Sequence, residues 1–163
     1  MAKITFKGQS EYFEKLQKLQ AAFAKDDTIE KAVAAGAAPV ADKIRSNLSA
    51  LPEDEFRHLQ PGETFSGIPK EQKEDLENGF GLAPIRRDKK GFVHTKAGFD
   101  GYGSHPTKAY PKGVPNALIA RATESGSSVR RKTPFVRPAV KATEEQAVSA
   151  MGRVIDKEIQ KII

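Results

Sequence analysis

Residues able to do chemistry are few in this chain, and their spacing argues against a catalytic centre. The three histidines are His58, His94 and His105. None stands three or four residues from another, and no His-Glu-x-x-His arrangement occurs, so a metal site would need distant residues to converge. His94 lies on an alternating run and reads as a surface or packing residue. There are no cysteines. That excludes thiolate zinc sites, iron–sulfur clusters, cysteine nucleophiles and disulfide scaffolds. Gly98-x-x-Gly101-x-Gly103 is glycine-rich, but Pro106 and Pro111 follow it where a dinucleotide fingerprint would open a helix. It reads as a turn needing positive φ or close backbone approach. Glu124-Ser125-Gly126-Ser127-Ser128 lacks the strand–turn–helix context of a nucleophilic serine. No Gly-Lys-Ser/Thr phosphate loop is present. The expectation is a protein without catalytic residues, metal or cofactor.

What remains is electrostatics. The chain carries a net charge of +6. Between Pro84 and Lys132, eleven basic residues stand against Asp88, Asp100 and Glu124, a net +8 that leaves −2 for the remainder. Such a segment binds nucleic acid or an acidic partner surface. Its densest cluster is Arg130-Arg131-Lys132, beside Arg121 and Arg137. Arginine and lysine neutralise phosphates, and equally dock onto acidic patches of a neighbouring subunit. Phe135 is the only aromatic of the cluster, which argues against base stacking of the single-strand type.

The elements that must position these groups follow from periodicity. Tyr12, Phe13, Leu16, Leu19 and Phe23 share one face of a helix over about Ser10 to Lys25. Asp27 and Glu30 suggest a capping box for a second helix. Ile29, Val33, Val40, Ile44, Leu48 and Leu51 supply its apolar positions, and Pro39 either kinks it or divides it into two. Pro69 opens a short helix over Lys70 to Glu77, closed by Asn78-Gly79. Gly81 to Arg87 and Phe92 to Gly98 are extended runs joined by the turn Asp88-Lys89-Lys90-Gly91. Asn116 to Thr123 is a strand or a short helix. A long helix closes the chain, with Val140, Val148, Met151, Ile155, Ile159 and Ile162 on one stripe.

These elements predict an α+β fold. N-terminal helices precede a small central antiparallel sheet with long loops, and a long C-terminal helix packs on the sheet. Residues 1–163 form one domain, with a helical part over about 9–80, a β and loop part over about 81–133 and the last helix over about 136–163. Hydrophobic residues are 38% of the chain, with 13 Gly and 10 Pro. This is a thin core for a domain of this length, and it points to a subunit that needs partners. No apolar run approaches the roughly 18 residues that span a bilayer, and Met1 to Gly8 has no signal-like apolar region. The expected setting is a reducing cytoplasm, with no membrane partner.

Two segments carry a resemblance. Asn116 to Ser128 is followed by Lys132-Thr133-Pro134-Phe135-Val136-Arg137-Pro138-Ala139 and a long helix. Together they resemble the gene-product-ten-like morphogenesis family of tailed bacteriophages, the minor tail-completion and head–tail joining proteins. Gly-Phe-Asp-Gly-Tyr at Gly98 to Tyr102, Asp75-Leu76 with Phe80-Gly81, and Ala37-Ala38-Pro39-Val40 are similar to segments of that family. The resemblance covers nearly the whole chain and is strongest from Leu76 to Ala139. It implies a structural virion protein without enzyme activity or cofactor, assembled in a bacterial host. That protein oligomerises as a ring around the DNA path, sixfold where tail symmetry is sixfold. The implied partners are further copies of itself, a tail terminator or tail tube protein, a head-closure or connector protein, and DNA in the lumen. Candidate subunit-contact or DNA-facing residues are Phe99, Tyr102, Arg121, Glu124, Arg130, Arg131, Lys132, Phe135 and Arg137. The alternative is a stand-alone basic nucleic-acid-binding domain.

Overall fold

A computed structural model describes residues 9–25, 27–55 and 57–162. The run Met1 to Gly8, Asp26, Phe56 and Ile163 lie outside the described residues. The order is α1 Gln9–Lys25, α2 Thr28–Ser49, α3 Lys70–Gly79, β1 Phe80–Leu82, β2 Arg86–Arg87, β3 Val93–His94, β4 Ala97–Phe99, α4 Asn116–Ser125 and α5 Val136–Ile162. This is an α+β fold with a long C-terminal helix.

Local chemistry explains the helix ends. α2 is a single helix with Pro39 inside it. The capping box expected at its start does not form: Asp27 makes no side-chain cap and instead pairs with Lys31, one turn on, at 2.6 Å. Pro69 precedes α3 and Pro115 precedes α4, where a missing N–H costs no helical bond. The segment 116–125, open between strand and helix from its sequence, is helical. Gly79 ends α3 for a reason other than positive φ. The Asp100 carbonyl oxygen lies 2.4 Å from where a Cβ would stand, so only glycine admits this close approach.

The strands form one interrupted hairpin. β1 pairs antiparallel with β4 through Phe80 opposite Phe99, Gly81 opposite Gly98 and Leu82 opposite Ala97. β2 pairs with β3 through Arg86 opposite His94 and Arg87 opposite Val93. Between the two ladders the first arm holds residues 83–85 and the second only 95–96, so the first arm bulges by one residue. Pro84, which has no N–H to give the ladder, sits in that bulge.

The core joins Ala41, Ile44, Leu48 and Leu51 at the end of α2 to Ile68, Leu76, Phe80, Ile119, Ala120, Phe135 and Ala139. The principal partner of α5 is α2, not the sheet. α5 meets the sheet where the chain enters it, with the Phe135 ring edge-on to Phe99 at 5.8 Å between centroids. The buried face of α5 follows the apolar stripe only in its second half, where Met151, Ile155, Ile159 and Ile162 are half-buried. Val140 and Val148 are 46% and 64% exposed. Ala139 and Thr143 are buried and Ala147 and Met151 half-buried, the last two lying against Gly36 of α2. Small side chains on both helices let the backbones approach closely, and hydropathy alone gives such residues little weight.

Candidate functional site

The residues of the C-terminal motif turn out to be engaged with one another. Five of the first positions around α5 need their backbone donors satisfied or removed. Pro134 and Pro138 have none. The Glu124 carboxylate, reaching over from α4, accepts the other three. Its Oε2 takes the N–H of Phe135 at 2.7 Å and of Val136 at 2.9 Å, and Oε1 takes the N–H of Arg137 at 3.0 Å. One side chain thus caps the longest helix from a distance and places a negative charge at its positive end. Burial on its own would raise the Glu124 carboxyl, but the three backbone donors, with the Arg137 guanidinium 3.7 Å away, hold it below its ordinary value.

Arg130 is buried as well, only 7% exposed. Its Nη2 donates to Gln72 Oε1 at 2.6 Å, and its Nη1 to Thr123 Oγ1 at 3.3 Å and to the Gly67 carbonyl at 3.4 Å. Burial lowers its pKa from the ordinary arginine value, opposed by the attraction of Asp54. The guanidinium therefore ties the loop 126–132 to α3 and α4. The neighbouring backbone extends that tie: Phe65 donates to the Val129 carbonyl at 2.9 Å and accepts from the Arg131 N–H at 2.8 Å. The polar connection after Pro52 is ordered by the same means, with Arg57 bridging Asp54 and Glu63.

The Gly98–Tyr102 and Asp75–Gly81 segments meet through Asn116. Its Nδ2 donates to the Asp100 carbonyl at 2.8 Å and the Asp75 carbonyl at 3.1 Å. The Asp75 carboxylate accepts from the Ser104 N–H at 2.7 Å and the Ser104 hydroxyl at 2.5 Å. Three separate pieces of sequence are clamped by two polar side chains.

The expected contact set therefore divides. Glu124, Arg130 and Phe135 are buried and serve the fold, so the expectation that they face DNA or a neighbour is corrected. Phe99 is half-buried between Phe80 and Phe135. Arg121, Arg131, Lys132, Arg137 and Tyr102 remain exposed. The three histidines do not converge: His58 is exposed, His94 sits in the hairpin, and His105 lies 4.0 Å from Glu71. Among the described residues no group of three or more His, Asp or Glu is placed to hold a metal ion. Nor is any helix among them long and apolar enough to cross a membrane.

Two surfaces escaped the reading of the sequence. The apolar face of α1 is open, with Tyr12 63%, Phe13 54% and Leu16 42% exposed. Its periodicity was legible; that the face would remain uncovered was not. The second surface is the hairpin, whose cations were counted in the basic segment but not singled out. The one available signal was the Lys89-Lys90 pair inside a turn.

No family model, no curated protein and no solved structure matches this chain.

Proposed function

We propose that this chain is a structural assembly protein of a long-tailed phage, prophage or phage-derived particle. It completes the tail end or joins tail to head as a ring of identical subunits around the DNA path. The observation that carries the reading is the open α1 face. Three large apolar side chains in a row on one helix, in a chain with a thin core, mark a surface that another protein covers. In a ring that cover is a different patch of the next copy, repeated until the circle closes. The basic centre and acidic flanks give the same head-to-tail sense. The polar groups of the motifs that carry the resemblance are engaged inside the fold, which fits motifs that specify architecture and assembly rather than chemistry. Further partners on this reading are a tail terminator or tube protein on one side and a head-closure or connector protein on the other.

Mass measurement across micromolar concentrations, with negative-stain electron microscopy, tests the proposal. Closed rings of one discrete mass, alone or on added tail tubes, are the expected result. A monomer at every concentration and on every tube would overturn it. The stand-alone nucleic-acid-binding alternative is favoured by one observation, the basic hairpin, and predicts that monomer.

A further inference from the structure

We propose that the β-hairpin from Phe80 to Phe99 is a DNA-binding ribbon whose outer half enters the major groove of duplex DNA. This names the nucleic-acid contact of the reading above and rests on that reading for where the duplex comes from.

The charge is concentrated in the outer ladder and the exposed turn of the hairpin. From residue 86 to 96 it carries Arg86, Arg87, Lys89, Lys90 and Lys96 against a single acid, Asp88. Asp88 is engaged by the turn: its Oδ1 accepts from the backbone N–H of Lys90 at 2.8 Å and of Phe92 at 2.9 Å. Among the described residues no carboxylate pairs with Arg86, Lys89, Lys90 or Lys96. Arg87 alone approaches one, Glu30 at 4.0 Å, and with β3 beside α2 this rests one side of the outer ladder on that helix and leaves the turn beyond it free. Arg86 and His94 are directly opposite each other. With Lys96 they line a hollow of about 210 Å³ that contains no carboxylate. A phosphate seated there would meet cations from both strands. The tip from Asp88 to Phe92 is exposed throughout, and Phe92 projects from it 67% exposed.

The shape selects the ligand. Two strands about 4.8 Å apart make a ribbon that the major groove of B-DNA, roughly 12 Å wide, admits. Long cationic side chains then reach the phosphates along the groove walls, and an aromatic at the tip meets thymine methyls on the groove floor. Duplex RNA offers no such fit, because its major groove is too narrow. The Arg130–Lys132 run is poorer in all these respects: Arg130 is buried, and no ribbon projects from it.

The test uses the full chain and a fluorescein-labelled 20-base-pair DNA of mixed sequence, followed by anisotropy between 50 and 200 mM KCl. Binding with a steep salt dependence is expected. The K89A/K90A variant should bind roughly tenfold more weakly and lose about 1.8 from the slope of log affinity against log salt, at about 0.9 per phosphate contact. Phe92→Ala should weaken binding at constant slope, and R131A/K132A should leave both values unchanged. Because Lys89, Lys90 and Phe92 are exposed and Asp88 and Gly91 are kept, circular dichroism should report intact folds. Any of three results overturns the inference: no binding at 50 mM KCl, equal binding to duplex RNA of the same sequence, or a slope that responds to R131A/K132A rather than K89A/K90A. Particle mass separates this from the ring. Rings that ignore DNA would sink the hairpin alone, and a monomer that binds through the hairpin would sink the ring alone.

Discussion

Glu124 shows what a single residue does for this fold. Its carboxylate satisfies three backbone donors at the start of the longest helix, and no other described side chain is hydrogen-bonded to them. Because its folded-state pKa is lowered, the sign of the pH dependence is set. The stabilisation is complete above the unfolded value of about pH 4.3 and is lost as pH falls through the lower folded value. Glu124→Gln keeps one acceptor but turns a donor towards a donor. It should cost about 1.5–3 kcal/mol near neutral pH, in the range of hydrogen bonds to charged groups. It should also flatten the fall in stability below about pH 4.3, where the wild-type carboxylate begins to protonate in the unfolded chain. Urea unfolding at a series of pH values would measure both, and a variant with the wild-type acid limb would refute the capping role. Glu124 and Arg130 were legible as charges in a basic segment but not as internal bonds. Glu124 reaches donors 11 to 13 residues on, and Arg130 bonds to Gln72, 58 residues back. Spacing rules describe neighbours on one element, and neither pair shares one. Arg130 is consequently unsuited to probing surface charge, since its removal leaves Gln72 and Thr123 partly unsatisfied in the interior.

At the scale of elements, periodicity carried the reading far for α1, α2 and α5, and Pro69 marked the start of α3, whereas α4 stayed open between strand and helix although Pro115 stands before it as Pro69 does before α3. Periodicity failed at the α2–α5 contact. There Gly36 meets Ala147 and Met151, and Ala139 and Thr143 are the buried positions of α5; apart from Met151 these residues score as neutral, while Val140 and Val148 face outward. Close approach of two backbones needs small residues, and a count of large apolar ones cannot see it. Gly36 gives the measure of that contact. A Cβ there would stand 2.6 Å from Met151 Cγ and 3.2 Å from the Ala147 carbonyl oxygen. The methionine end can move, but the backbone carbonyl cannot move far. Gly36→Val should therefore overpack the helix pair and cost about 1–3 kcal/mol, read as a lowered Tm. A variant as stable as the parent would mean that α2 and α5 are less tightly held than their side chains indicate.

At the scale of the whole molecule, the open α1 face and the basic outer part of the hairpin, Arg86 to Lys96, are both built from sequence outside the core, which takes only Phe80 and Phe99 from the hairpin's base. Folding stability and assembly should therefore be separable. Tyr12, Phe13 and Leu16 lie on an exposed face, so charging it removes little that the isolated subunit buries. In a ring the same face is enclosed against a neighbour, where an unpaired carboxylate is costly. The double substitution Phe13→Asp and Leu16→Asp should leave thermal unfolding of the subunit within about 0.5 kcal/mol of the parent, as surface changes usually do. In particle-mass measurements it should shift the distribution to monomers. If rings form unchanged, α1 is not the contact and the next patch to examine is the exposed set Arg121, Arg131 and Lys132. If the variant instead unfolds, α1 is covered within the subunit itself, and the open face is not a docking surface.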